Sequence, residues 1–132
     1  MTPTKTLLLV EDEGLVRHDL KEGLLAAGFD VSDVAQAGKA LSELEADPSR
    51  FLGLITDINL GRGPDGWEIA RRVRELVPDL PVVYISGHGS ADWPSKGVPK
   101  SLTLSKPFAT AQLVTAISTL LVEVDAHKAR DG

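Results

Sequence analysis

The sequence of 132 residues contains no cysteine. Disulfide bonds and thiolate-bound metal sites are therefore excluded, and a metal ion would need oxygen or nitrogen ligands. Long hydrophobic runs are also missing, since no stretch approaches the roughly 20 apolar residues of a membrane span. The first apolar run, residues 6–10, is too short for a signal peptide and is followed at once by acidic residues. We therefore expect a cytoplasmic protein of the bacterial type with no membrane partner.

Basic residues are in the minority. The chain has 14 Lys and Arg residues against 19 Asp and Glu residues, its net charge is −5, and the positive charges are scattered. A nucleic-acid-binding surface needs clustered positive charge, so no nucleic acid partner is expected.

The length and composition are those of one globular domain, with 42% hydrophobic and 25% charged residues. We place a single domain at residues 1–124 and a short polar tail, expected to be frayed, at residues 125–132. The tail is too short for a DNA-binding or catalytic unit. The sequence therefore predicts a domain with no output domain attached.

Two kinds of segment alternate along the chain. Short apolar runs are typical of strands, and between them apolar residues recur at helical spacing. The fourth helical segment, residues 90–97, is weak because Pro94 and Gly97 interrupt it. This alternation predicts an α/β fold with a doubly wound, five-stranded parallel sheet covered on both faces. The predicted strands lie at residues 6–10, 29–34, 51–56, 81–86 and 101–105.

Helix boundaries are also marked in the sequence. Gly28 follows the first helical segment and Pro48 follows the second, and both residue types end helices. Asp65 and Glu68 have the spacing of a capping box, which predicts the start of the third helix. We interpret Trp67 as a packing residue of that first turn.

Polar residues follow the strands at their carboxyl ends. Glu11 and Asp12 follow the first strand, Asp57 follows the third, Ser86 ends the fourth and Lys106 follows the fifth. These ends lie at one edge of a parallel sheet, where ligands of such folds bind.

Three carboxylates at one edge need a cation. Two carboxylates about 4 Å apart repel by about 4 kcal/mol at an effective dielectric constant near 20. Hard oxygen ligands without a thiolate favour Mg²⁺. A carboxylate can act as a nucleophile, and phosphoryl transfer needs mainly positioning and charge neutralisation. The residues at this edge could therefore bind a phosphoryl group or accept one.

Four motifs occur in a fixed order along the chain: LLLVEDE, LITDINL, YISG and LSKPF. In this order and spacing they resemble the response-regulator receiver domain of two-component signalling, over about residues 5–122. The resemblance implies a flavodoxin-like fold with strand order 2-1-3-4-5.

The resemblance also implies a role for each residue at the acidic edge. Asp57 would be the phosphoacceptor. Glu11, Asp12 and Asp57 would hold Mg²⁺, and the backbone carbonyl of Asn59 would complete the metal site.

Two further residues have roles implied by the resemblance. Ser86 would bind a phosphoryl oxygen and Lys106 would pair with the phosphoryl group. The peptide bond between Lys106 and Pro107 is expected to be cis. His88 stands two residues after Ser86 and would border the pocket.

The function implied is that of a single-domain response regulator, a signalling module and not an enzyme. It would accept a phosphoryl group from a histidine kinase or a histidine phosphotransfer protein in a Mg²⁺-dependent manner. It would then contact an unknown downstream protein or act as a phosphate sink. It would be a monomer or a weak, phosphorylation-dependent homodimer.

Two alternatives stay open. A pseudo-receiver would bind partners without phosphorylation. A small phosphatase of the haloacid-dehalogenase type would also use an Asp nucleophile and Mg²⁺, but it needs a second Asp where this chain has Asn59. The chain is also short for the cap domain of such a phosphatase.

Three departures from the family pattern concern signal transmission. Gly61 stands where the family often has proline, in a loop that is one residue longer. Thr103 stands where many members have a switch aromatic on the fifth strand, and the fourth helix is weak. Trp93, in this weak segment, is either a core packing residue or an exposed anchor for a partner.

Overall fold

The computed structural model describes residues 5–61, 63–87 and 93–131, and within these ranges five strands alternate with five α-helices. The strands are β1 (Thr6–Val10), β2 (Asp30–Val34), β3 (Phe51–Asp57), β4 (Val82–Ser86) and β5 (Ser101–Ser105). The helices are α1 (Gly14–Ala26), α2 (Ala37–Ala46), α3 (Gly66–Leu76), α4 (Trp93–Lys96) and α5 (Thr110–Asp131). A 3₁₀ turn, Pro48–Arg50, precedes β3.

The strands form one parallel sheet in the order β2-β1-β3-β4-β5. This confirms the predicted doubly wound α/β fold, its strand order and the edge position of β2. The chain winds from β1 to one side to form β2 and then to the other side to form β3. The switch point therefore lies at the carboxyl ends of β1 and β3, where a crevice opens.

Both faces of the sheet are buried. Successive strand residues point to opposite faces, so Leu7 and Leu9 pack with α1 and α5 while Leu8 and Val10 pack with α2 and α3. The same alternation runs through β3 and β4. Burial on both faces explains why these strands are continuous apolar runs instead of alternating ones.

The helix boundaries follow the predicted signals at most positions. Asp65 is the N-cap of α3, and its Oδ1 atom accepts a hydrogen bond from the Glu68 backbone N–H at 2.9 Å. Trp67 is buried beside Tyr84, as expected of a packing residue. The predicted weakness of the fourth segment is confirmed, since α4 has four residues; residues 90–92 lie outside the described ranges.

The C-terminal segment differs from the prediction. Residues 125–131, which we expected to fray, continue α5 to Asp131. The physical reason is composition: Ala126, Lys128, Ala129 and Arg130 are strong helix formers, and no proline or glycine occurs before the last residue. Within the described ranges, none of the helices combines the length and hydropathy needed to span a bilayer.

Gly66 brings the start of α3 against the end of β3. Its backbone N–H donates a hydrogen bond to the Ile58 carbonyl oxygen at 2.8 Å. A Cβ atom at this position would lie 2.3 Å from the Asp57 carbonyl oxygen and 2.9 Å from the Ile58 Cα atom. These neighbours are backbone atoms that cannot rotate away, so only glycine permits this approach.

We expect Gly66→Ala to lower the free energy of unfolding by about 1–3 kcal/mol, the usual cost of overpacking. Gly38→Ala is the matched control, because a Cβ atom there meets nothing within 4 Å. This control is expected to be neutral or to stabilise α2 by up to about 1 kcal/mol. Urea denaturation of both variants measures the difference, and equal effects would contradict the close approach.

Candidate functional site

Backbone hydrogen bonds align the carboxyl ends of neighbouring strands. Each bond joins the residue after one strand to the end of the neighbouring strand. The bonds run from Glu11 N to Val34 O at 3.1 Å, from Ile58 N to Ile85 O at 3.0 Å, and from Lys106 N to Ser86 O at 2.7 Å. The side chains that follow the strands therefore start from a common rim.

Three carboxylates converge on this rim. Glu11, Asp12 and Asp57 each offer a carboxylate oxygen, and these oxygens all lie within 4.8 Å of one another. Glu11 is fully buried and Asp57 is 6% exposed, whereas Asp12 faces solvent. The structure thus brings together the three acidic residues that the strand pattern predicted to meet.

Lys106 bridges two of these carboxylates. Its Nζ atom lies 3.3 Å from Glu11 Oε1 and 3.3 Å from Asp57 Oδ2. Partial burial disfavours the ammonium form, but the charges of Asp57 and Glu11 more than offset this cost. The pKa of Lys106 is therefore raised, and the side chain is a permanent cation at neutral pH.

Glu11 is the fully buried member of the three carboxylates. Its Oε2 atom is buried and has no hydrogen-bond partner among the described residues. Burial raises the pKa of Glu11 to about 7, and the charge of Asp57 adds to this shift while Lys106 opposes it. An unpaired buried acceptor in a native structure calls for an explanation, and a bound cation is one.

The donor set fits a hard divalent cation. Every candidate ligand atom in the cluster is an oxygen, and one of them lacks a partner within the described residues. Asn59 lies next to the cluster, since its backbone nitrogen is 3.4 Å from Asp57 Oδ1. Its side chain is exposed to solvent.

Ser86 ends the strand next to Asp57 and is 3% exposed. Asp57 is paired in register with Ile85, so Ser86 stands one residue further along β4 at the same rim. The peptide bond between Lys106 and Pro107 is cis, as expected. His88, which the sequence suggested as a border of the pocket, lies outside the described residues.

An open cavity of about 550 Å³ adjoins the cluster at Asp12. Gln36 lines it at the start of α2, and Leu60 and Pro64 line it from the loop after β3. That loop contains Gly61, whose φ of +76° is closed to proline. A proline at this position would therefore not fit the loop.

Arg17 and Asp33 are contributors that the sequence did not reveal. The Arg17 guanidinium donates from Nη1 to the Glu11 carbonyl oxygen at 2.9 Å and from Nε to Asp33 Oδ2 at 3.2 Å. Lys21 also binds Asp33, at 2.8 Å, and the hydrogen bonds from Lys21 and Arg17 lower the pKa of Asp33. The strand β2 also contains Asp30 and Ser32, so Asp33 gives no distinct signal in the sequence, and its partners lie 12 and 16 residues away.

Comparison with known proteins gives a consistent result. The family model for the response regulator receiver domain matches residues 7–118. Over 120 residues the chain is 35% identical to the response regulator receiver protein CpdR of Brucella abortus, covering 89% of this chain and 98% of CpdR. Over 117 residues it is 34% identical to the C4-dicarboxylate transport transcriptional regulatory protein DctD of Rhizobium meliloti. That match covers 86% of this chain but spans only 25% of DctD.

Solved structures show the same fold. A response regulator receiver protein from Sinorhizobium medicae superposes with a TM-score of 0.88 at 44% identity, covering 92% of this chain and 97% of that one. Phosphoaspartate and Mg²⁺ are features of the family that these matches define. The acidic rim, the parallel sheet and the matches lead to one conclusion: this chain belongs to the response-regulator receiver domain family of two-component signalling.

Proposed function

We propose that this protein is a single-domain response regulator that accepts a phosphoryl group on Asp57. The observation that carries the proposal is the bridge from Lys106 to Glu11 and Asp57, at 3.3 Å each, beside a buried oxygen of Glu11 with no described partner. This arrangement holds a nucleophilic carboxylate next to a fixed cation and leaves ligand atoms for a second cation. The nearly full-length match to CpdR supports the single-domain form.

In this proposal Glu11, Asp12 and Asp57 hold Mg²⁺ together with the backbone carbonyl of Asn59. When bound, the ion neutralises charge on the carboxylates and on the incoming phosphoryl oxygens. The burial of Glu11 then serves a purpose, because a buried carboxylate that meets a cation is kept ionised. Arg17 supports this loop by binding the Glu11 carbonyl oxygen.

The transfer step follows from the chemistry of the rim. A carboxylate oxygen of Asp57 attacks the phosphorus atom of a phosphohistidine on the donor protein. The O–P bond forms as the P–N bond breaks, and the imidazole nitrogen that keeps the electron pair takes up a proton. Ser86 donates a hydrogen bond to one phosphoryl oxygen, and Lys106 moves from the carboxylates to the phosphoryl group.

The partners follow from this role. The donor is a histidine kinase or a histidine phosphotransfer protein, and the receiver then contacts a downstream protein or serves as a phosphate sink. In this proposal the receiver occupies residues 1–124 and is a monomer or a weak homodimer formed on phosphorylation. Kinase phosphoryl groups come from ATP, so a cytoplasmic location goes with this function.

Neither alternative has an observation in its favour. A pseudo-receiver has no need of a complete set of phosphorylation residues, whereas here Asp57, Lys106 and Ser86 all reach one rim. The phosphatase needs a general acid two residues after its nucleophile, and this chain has the exposed amide side chain of Asn59 there.

We expect incubation with acetyl phosphate and Mg²⁺ to add one phosphoryl group, detected by intact mass. Asp57→Asn and the omission of Mg²⁺ should each abolish the adduct. Asp65→Asn is the matched control, because it changes a neighbouring aspartate that caps α3 and lies outside the cluster. No adduct on the folded wild-type protein, at a time shorter than hydrolysis, would contradict the proposal and favour the pseudo-receiver.

Mg²⁺ is also expected to stabilise the folded protein. A ligand that binds only the folded state at about 100 times its Kd stabilises it by about 2.7 kcal/mol, so Mg²⁺ should raise the Tm by several degrees. Asp57→Asn should raise the stability of the metal-free protein, because it removes one of the repelling carboxylates, and should reduce the effect of Mg²⁺. Thermal unfolding with EDTA or MgCl₂ tests both, and an unchanged Tm in every case would refute the crowded acidic pocket.

The raised pKa of Glu11 predicts that stability depends on pH. The pKa of Glu11 is about 7 in the folded protein against 4.5 for an ordinary Glu. Its stabilising effect is therefore full below pH 4.5 and is lost as the pH rises through 7. In EDTA, the stability of wild type relative to Glu11→Gln should decline across this range by roughly 3 kcal/mol at most. Saturating Mg²⁺ should abolish the decline, and a pH-independent difference in EDTA would show that Glu11 stays ionised.

A further inference from the structure

Tyr84 is the largest fully buried side chain in the described residues, and it lies on β4 two residues before Ser86. Its register partner on β5 is Thr103, so the two side chains are neighbours on one face of the sheet. The aromatic ring of this pair therefore belongs to β4, whereas the resemblance placed it on β5. Thr103 keeps a buried hydroxyl that has no partner among the described residues.

One side of Tyr84 faces the loop that follows the phosphoacceptor. The ring centroids of Tyr84 and Trp67 are 4.6 Å apart, and Trp67 is the second residue of α3. The residue before it, Gly66, is pressed against the backbone carbonyl of Asp57. A backbone movement at Asp57 therefore reaches Trp67 through atoms that are already in contact.

The other end of Tyr84 holds the 93–101 segment, which consists of α4 and the turn that leads to β5. The Tyr84 hydroxyl oxygen accepts a hydrogen bond from the Val98 backbone N–H at 3.0 Å. Ser101 Oγ donates to the Val98 carbonyl oxygen at 2.6 Å and accepts from Trp93 Nε1 at 3.0 Å. Trp93 thus packs against the core and is not an exposed anchor.

The far end of this segment is fixed to a different element. The Arg74 guanidinium, in the last turn of α3, donates to the carbonyl oxygens of Leu80, Pro99 and Lys100 at 2.7, 2.6 and 3.2 Å. Tyr84 therefore holds the part nearer to α4, and Arg74 holds the turn. The two ends of the segment are therefore held by side chains from different elements, β4 and α3.

We propose that Tyr84 couples the state of Asp57 to the 93–101 segment, through its ring contact with Trp67 and its hydrogen bond to Val98. This inference rests on the proposed function, because it assumes that Asp57 is phosphorylated. Phosphorylation adds about −1.5 to −2 charge at the rim and changes the contacts of Ser86 on the same strand. The buried Val98 N–H needs a hydrogen-bond acceptor, so we expect it to follow the Tyr84 hydroxyl when the tyrosine side chain moves.

Amide NMR spectra of the full chain test this coupling, with Mg²⁺ alone and with Mg²⁺ plus beryllofluoride, a tetrahedral phosphoryl analogue. The amide of Asn59 reports occupancy at Asp57. The amide of Val98 and the indole N–H of Trp93 report the 93–101 segment. In the wild-type protein we expect beryllofluoride to shift all three resonances.

Tyr84→Phe removes the hydroxyl and keeps the ring. We expect the Asn59 response to occur at the same beryllofluoride concentration, while the shifts at Val98 and Trp93 fall by about half or more. Thr103→Val is the matched control, since it removes a neighbouring hydroxyl that has no described partner. This control should keep all three responses.

Ser101→Ala provides a second test that does not depend on the folding of Tyr84→Phe. It should lose the Trp93 response and keep the Val98 response, because Ser101 lies beyond Val98 in the chain of contacts. Full responses at Val98 and Trp93 in Tyr84→Phe, or at Trp93 in Ser101→Ala, would overturn the coupling while the Asn59 response upheld the proposed function. A wild-type protein whose Asn59 amide does not respond would refute the proposed function, and the coupling would fall with it.

Discussion

Three carboxylates and one ammonium share the carboxyl edge of the sheet, and the charge balance among them governs the rest of the site. Lys106 bridges Glu11 and Asp57, but one cation cannot neutralise three carboxylates. Burial, with the added charge of Asp57, raises the pKa of Glu11, and its Oε2 atom has no hydrogen-bond partner among the described residues. A group of like charges at this distance is costly in water-poor surroundings. The proposed Mg²⁺ would offset that cost, because it adds a second cation to the carboxylates.

The backbone around Asp57 is closely packed and holds its carboxylate in place. Gly66 lets α3 begin against the Asp57 carbonyl, and the inter-strand bonds keep neighbouring strand ends level. Close-packed atoms transmit displacements instead of absorbing them. The same contacts that position the carboxylate therefore link it to the aromatic pair of Trp67 and Tyr84.

Much of the fold follows from the sequence. β1 and β5 have the bounds that their apolar runs predict, and the capping residue of α3 is Asp65, as its spacing indicates. The acidic rim also follows, because strand ends in a parallel sheet meet at one edge whatever the details of packing. The polar composition of residues 125–131 predicts fraying, but these residues continue α5 because most of them favour a helix.

The sequence by itself determined the strand–helix alternation, the four motifs and the residue types that end each strand, since these depend on local periodicity and spacing. Only the tertiary structure decided which charges meet. Arg17 finds Asp33 and the Glu11 carbonyl, and Tyr84 finds Trp67 and Val98, across separations that no local pattern encodes. It also decided that Trp93 packs against the core and that a buried oxygen of Glu11 has no partner in the part of the chain that the structure describes. Burial and long-range pairing depend on how all the helices pack on the sheet, and local sequence patterns do not specify that packing.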